Sequence, residues 1–200
     1  IGPNTGISAS IEGASIDISR INFGDFDGDG QADVYQIQGW GTPINDQVFL
    51  NNNSASKINS YSDSLGNITT FTHRLLSDSQ IYTKGASNGY PAPNIQPSIH
   101  VVSQLNTDNG QGGSLSTSYK YEGLKIHKRG LGNLGFSKIT ATNNQTGIQS
   151  ITEYGQDYEK RLVGMPTSEY VVLPNNVVRT RTDTTYDSTL QHDSKRYSIT

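Results

Sequence analysis

Apolar and polar residues alternate in short runs along this chain, with hardly any recurrence at three- and four-residue spacing. That rhythm predicts short β-strands with one packed and one wet face, and no long helix. Ile16 and Ile18 alternate with polar residues and suit one short strand, while Ile11 falls out of phase. In "DVYQIQGW", Val34, Gln36 and Gln38 take one face and Tyr35 and Ile37 the other. "QVFLNN" (47–52) reads as a second strand, closed by asparagines, so that 21–52 form a loop-plus-hairpin unit. Further strands are predicted over 67–76, 98–105 and 114–126. The runs 135–142 and 147–154 flank "NNQT" as a hairpin, and "EYVVLP" and "NVVRTRTDTTYD" supply two more. Proline and glycine make 85–97 an extended, turn-rich crossing, and only 156–162 reads as a helical turn. A Ser- and Asn-rich stretch near 53–66 marks a soft boundary.

Composition sharpens this picture. Of the 200 residues only 32% are apolar, while Gly contributes 21 and Tyr 11. Many short strands and frequent turns use such a mixture. The formal net charge of -3 gives no electrostatic reason to expect nucleic acid or an anionic membrane as partner. Without cysteine there are no disulfides, thiolate metal sites or cysteine nucleophiles, and no apolar run is long enough for a membrane span. The opening "IGPNTG" and the strand-like ending "KRYSIT" predict a piece of something longer.

Candidate chemistry concentrates in "FGDFDGDGQADVY". Asp25, Asp27, Asp29, Gln31 and Asp33 occupy positions 1, 3, 5, 7 and 9 of a loop. Carboxylates at that spacing curl around a centre, and position 7 adds a backbone carbonyl. Such oxygen-only ligation suits Ca²⁺, a hard cation that takes about 6–8 oxygens, better than Mg²⁺, which keeps its waters. No neighbouring His or Cys favours zinc. Gly28 and Gly30 permit the bends. Position 12 is Gln36 rather than a bidentate Glu, so the loop is not an EF-hand, and Asp33 supplies the closing carboxylate on this reading. An acidic solvated turn without metal is the alternative; paired-carboxylate catalysis is the weakest option, because carboxylates consumed as ligands cannot act as acid or base.

These residues resemble an FG-GAP/VCBS-type repeat, a calcium-loop blade unit of β-propellers, over roughly 21–52. A second stretch, Tyr82 to Val172, is similar to the region following such repeats in the SpvB/TcaC/TcdB group, the B components of bacterial insecticidal toxin complexes, and to the start of Rhs/YD-repeat shells. Its landmarks are Tyr119 and Tyr121, the basic Gly-rich segment Arg129 to Phe136, Tyr154 to Tyr158, and Gly164 to Pro166. The family segment's Arg and first Phe fall here at Leu131 and Asn133. The resemblance implies an all-β chain of antiparallel hairpins and small sheets. Residues 1–60 would form one propeller-blade-like calcium unit, and 61–200 part of an Rhs-like β-shell.

The function implied is that of a non-catalytic structural segment of a secreted bacterial toxin, extracellular or on the cell surface. It would help to enclose or deliver a payload and pack against other shell segments or the C component. The alternative is a calcium-stabilised adhesion or carbohydrate-binding module engaging a host-surface glycan or receptor. The mono-ADP-ribosyltransferase carried by some such proteins needs a Glu-x-Glu turn, and this sequence has none. Lys125, Lys128 and Arg129 read as a solvated basic turn, Phe136, Tyr154 and Tyr158 as core, and the four histidines as structural or exposed.

Overall fold

A computed structural model describes residues 21–36, 47–51, 57–86, 89–191 and 196–199. The chain divides into two compact units between Lys57 and Ile58. In the first, strands β1 (Ile21–Gly24), β2 (Asp33–Gln36) and β3 (Gln47–Phe49) form a three-stranded antiparallel sheet in that order. Gly24 pairs with Asp33 at the end of the β1–β2 ladder, so the aspartate loop is the hairpin connection itself.

The second unit holds β4 (Ser60–Ser62), β5 (Ile68–Leu75), β6 (Tyr82–Thr83), β7 (His100–Asp108), β8 (Ser114–Glu122), β9 (Lys125–His127), β10 (Gly132–Gly135), β11 (Lys138–Asn143), β12 (Gln149–Asp157), β13 (Leu162–Val172), β14 (Val178–Asp183), β15 (Ser188–Gln191) and β16 (Arg196–Ile199). Most join one nine-stranded sheet ordered β14-β13-β12-β11-β8-β7-β5-β4, with β6 paired to β8 off that path. All its pairings are antiparallel except β6 with β8. β7 pairs with β8 as far as Ser118; beyond it, β6 takes the same edge at Tyr121 and Glu122. β9–β10 and β15–β16 are separate two-stranded ribbons.

The strands of this sheet are rich in Thr and Ser, and few of their side chains are fully buried. The core lies instead at one end of the sheet, where Leu76, Ile81, Tyr82 and Leu124 pack together with Ile95, Val101, Tyr121 and Phe136 around them. The crossing over 91–95 is pinned there by backbone bonds: Ile95 N–H donates to Leu124 O, Ile126 N–H to Pro93 O and Lys128 N–H to Pro91 O. The buried Tyr82 hydroxyl donates to Ile95 O (2.6 Å) and accepts Leu124 N–H (3.0 Å).

The strands expected over 67–76 and 98–105, the hairpin around "NNQT", and the two runs after it are all present. The run 114–126 is broken at Gly123, whose φ of 64° is left-handed and where a Cβ would collide with Ser137 Oγ. The expected helical turn at 156–162 is the tight β12–β13 turn, and no helix occurs among the described residues. The strand expected at Ile16 and Ile18, and Ile37 to Trp40, lie outside the described residues.

The expected propeller-blade unit and Rhs-like shell are corrected by the topology. Among the described residues no sheet is closed or curled, and β4 and β14 end the large sheet as opposite edges. Small sheets were also expected, and a three-stranded sheet and two two-stranded ribbons are found beside one sheet of nine strands. The physical reason is that alternation reports a wet and a dry face on each strand. It carries no information on whether the first and last strands of a sheet meet.

Candidate metal centre

The aspartate loop is shaped by its own side chains. Gly28 and Gly30 adopt φ of 81° and 83°, a region open to glycine at little steric cost. Asp25 accepts Gly28 N–H at Oδ1 (2.7 Å) and Gly30 N–H at Oδ2 (3.0 Å). Asp27 Oδ1 accepts Asp29 N–H (3.0 Å). Asp29 accepts both the backbone N–H (2.8 Å) and the side-chain amide (2.6 Å) of Gln31. Each carboxylate thus turns inward along the loop that carries it, as Asx-type turns do.

One oxygen each from Asp25, Asp27 and Asp29 lies within 4.8 Å of the others, with Asp25 and Asp27 exposed and Asp29 half-buried. Oxygens sharing one Ca²⁺ at about 2.3–2.6 Å can stand no more than about 5 Å apart. The trio therefore fits a single calcium ion in reach and in donor chemistry. Without a cation, three carboxylates this close repel, and the loop's N–H groups offset only part of that repulsion.

Asp33, the expected closing ligand, stands outside that group. It is fully buried. Its Oδ2 accepts Phe26 N–H and its Oδ1 accepts Asn51 N–H, both at 2.8 Å. These bonds, Asn51's first, hold its pKa below the ordinary value of 3.8. Asp33 thus ties the start of the loop to the end of β3, in addition to any role as a ligand. The partner on Asn51 is a backbone group 18 residues away, and nothing in the local spacing announces it. Phe26 packs on Tyr35 with ring centroids 5.8 Å apart, which steadies the loop from one side.

Of the other residues singled out, Phe136 does enter the core, packed on Tyr121 and Tyr82 at 4.8 and 6.3 Å. His127 is buried and stacks on Tyr158. His192 lies outside the described residues. Among the described residues no helix is long and apolar enough to cross a membrane. No protein-family model, curated protein or solved structure matches this chain. The molecule is thus a largely β-sheet protein with a surface acidic cluster consistent with a calcium-binding loop.

Proposed function

We propose that the chain is a calcium-stabilised adhesion or carbohydrate-binding module, non-catalytic and secreted or displayed at the bacterial surface. The observation that carries the reading is the convergence of Asp25, Asp27 and Asp29 within 4.8 Å on a hairpin loop. Asp25, Asp27 and Asp29 would hold the ion. When bound, calcium supplies the positive charge that cancels their repulsion and fixes the loop between β1 and β2. Loops placed by a rigid sheet are where binding surfaces commonly lie. Support for binding over catalysis is that these carboxylates are engaged with the loop's own N–H groups. The resemblance of Tyr82 to Val172 to the region found in toxin-complex B components supports the secreted setting.

Calorimetric titration of the chelator-treated chain with CaCl₂ tests the metal. A heat of binding is expected, with a rise in apparent stability of about 2.7 kcal/mol when free calcium is a hundredfold above Kd. Both should vanish in Asp27→Ala. A wild-type chain with no binding heat and an unchanged melting temperature ends the calcium reading.

A further inference from the structure

Polar side chains form two rungs across one face of the large sheet, at the end of β5 opposite Leu76. The β5–β7 register sets Thr70 beside Asn106, and the β7–β8 register sets Asn106 beside Ser116. One rung further, Asp108 pairs with Ser114, and Ile68 shares their face because it stands two residues from Thr70. Together with Gly112 of the β7–β8 turn, Ile68, Thr70, Asn106, Asp108 and Ser114 border an open cavity of about 420 Å³. The strands beneath it are paired on both sides, β5 by β4 and β7, and β7 by β5 and β8. The cavity therefore lies on the face of the sheet and offers no free edge to an extended peptide.

The polar groups here are oriented by the protein yet keep open hydrogen-bonding capacity. Asn106 Oδ1 accepts from Gln104 Nε2 (3.0 Å), which also donates to Ser116 Oγ (2.9 Å). That contact fixes the Asn106 amide and leaves both hydrogens of its Nδ2 without an acceptor among the described residues. Asp108 Oδ1 accepts Gly110 N–H (2.9 Å), which steadies the carboxylate and leaves Oδ2 open. The Thr70 and Ser114 hydroxyls likewise have no partner among the described residues. Ile68, 53% exposed, adds an apolar wall. Asp108 is the one charged group in the lining.

We propose that this cavity binds a neutral sugar, a pyranose presenting adjacent hydroxyls. The inference rests on the carbohydrate-binding reading above and names its ligand class and site. A sugar hydroxyl both donates and accepts, as the lining requires: Asp108 Oδ2 accepts, Asn106 Nδ2 donates, and Thr70 and Ser114 do either. Asn106 and Asp108 stand two residues apart on one strand, about 7 Å between their Cα atoms, a span that neighbouring hydroxyls of one ring can bridge. Ile68 offers its apolar surface to the C–H face of that ring. A lone carboxylate with no cation beside it disfavours a uronate, sulfate or phosphate. The volume lies within the roughly 300–1,000 Å³ usual for small-ligand sites. No aromatic ring lines the cavity, so affinity should be weak.

The test is amide NMR of the calcium-loaded full chain, titrated with the methyl glycosides of glucose, galactose, mannose and N-acetylglucosamine, and with glucuronate and tetralysine. At least one neutral glycoside should move the amides of 68–70, 106–108 and 112–114, and bind more tightly than glucuronate. Asp108→Asn keeps an oxygen for Gly110 N–H but turns the open acceptor into a donor, and should weaken that binding about tenfold or more. Thr70→Val keeps the side-chain shape, suits a strand, and should weaken it about threefold. Neither variant should lower the melting temperature, which separates binding from folding. Unchanged affinity in both variants, or a response confined to glucuronate or tetralysine, overturns the proposal. Glycoside shifts confined to other amides overturn this site and leave the carbohydrate-binding reading standing; no shift with any glycoside removes both.

Discussion

Among the described residues, the two units are held by opposite means. In the second, the fully enclosed side chains include Leu76 and Leu134, and an apolar cluster sits beneath the crossing. In the first, the one buried side chain among the described residues is a carboxylate, Asp33. Phe23, Phe26, Val48, Phe49 and Leu50 of that unit are all substantially exposed. Apolar burial is non-directional and does not depend on a group staying charged. A buried carboxylate that accepts two backbone N–H groups is directional and depends on remaining charged. The same chain therefore contains one unit answerable to side-chain volume and another answerable to pH and cations.

The largest expected effect tests the apolar side of that contrast. Leu76→Ala empties a fully buried position in contact with Ile81, Tyr82 and Leu124. It should cost about 2–5 kcal/mol in denaturant unfolding of the second unit. Calcium binding by the first unit should be unchanged. A loss under 1 kcal/mol, or a matching loss of calcium affinity, breaks the contrast.

The next test acts on the carboxylate side. Because the pKa of Asp33 is depressed in the folded chain, its contribution is complete above its ordinary value of 3.8 and disappears as pH falls through the lower folded value. Acid should therefore loosen the first unit below about pH 3.8. Asp33→Asn should reproduce this at neutral pH, since an amide cannot accept from both Phe26 N–H and Asn51 N–H through two oxygens. Amide exchange at Phe26 and Asn51 is the readout; protection equal to wild type refutes the assignment.

These two tests also mark where the sequence was readable. Alternation located most strands of the second unit, and β5 does present a drier and a wetter face. The spacing of Asp25, Asp27 and Asp29 located the acidic trio, because Asx-type turns are local. Sheet closure was misread, since it depends on contacts between strands far apart in sequence. Asp33 drew attention as a ligand, and its tie to Asn51 went unseen for the same reason. The neighbourhood of the basic turn was invisible too: 125–131 reads as an isolated solvated turn until the fold sets Tyr158 and Arg161 beside it.

A smaller effect is expected inside the apolar unit itself. Tyr82→Phe keeps the ring in the core but removes the hydroxyl that accepts Leu124 N–H and donates to Ile95 O. A buried donor left without a partner costs about 1–3 kcal/mol. The variant should therefore lose stability without loss of compactness, read as a lower denaturation midpoint with an unchanged denaturant slope. A changed slope would mean that the hydroxyl organises the crossing rather than completing it.

The smallest expected effect concerns β14, every residue of which is exposed. Arg181 Nε reaches both oxygens of Asp183 at 2.9 Å, and its guanidinium lies 5.3 Å from the centre of the Tyr170 ring. On paper this is the richest polar contact set at that edge of the sheet. Solvent screens all of it, and ordering a long side chain offsets what Coulomb attraction remains. Ser168, which is buried, also donates its hydroxyl to Asp183, so Asp183 keeps a fixed partner when the arginine is removed. Arg181→Ala should accordingly leave the melting temperature unchanged within error, whereas Ser168→Ala should lower it. The reverse order would show that the sheet edge is held by its surface charges, and the division between an apolar unit and a charged one would then fail within the larger unit itself.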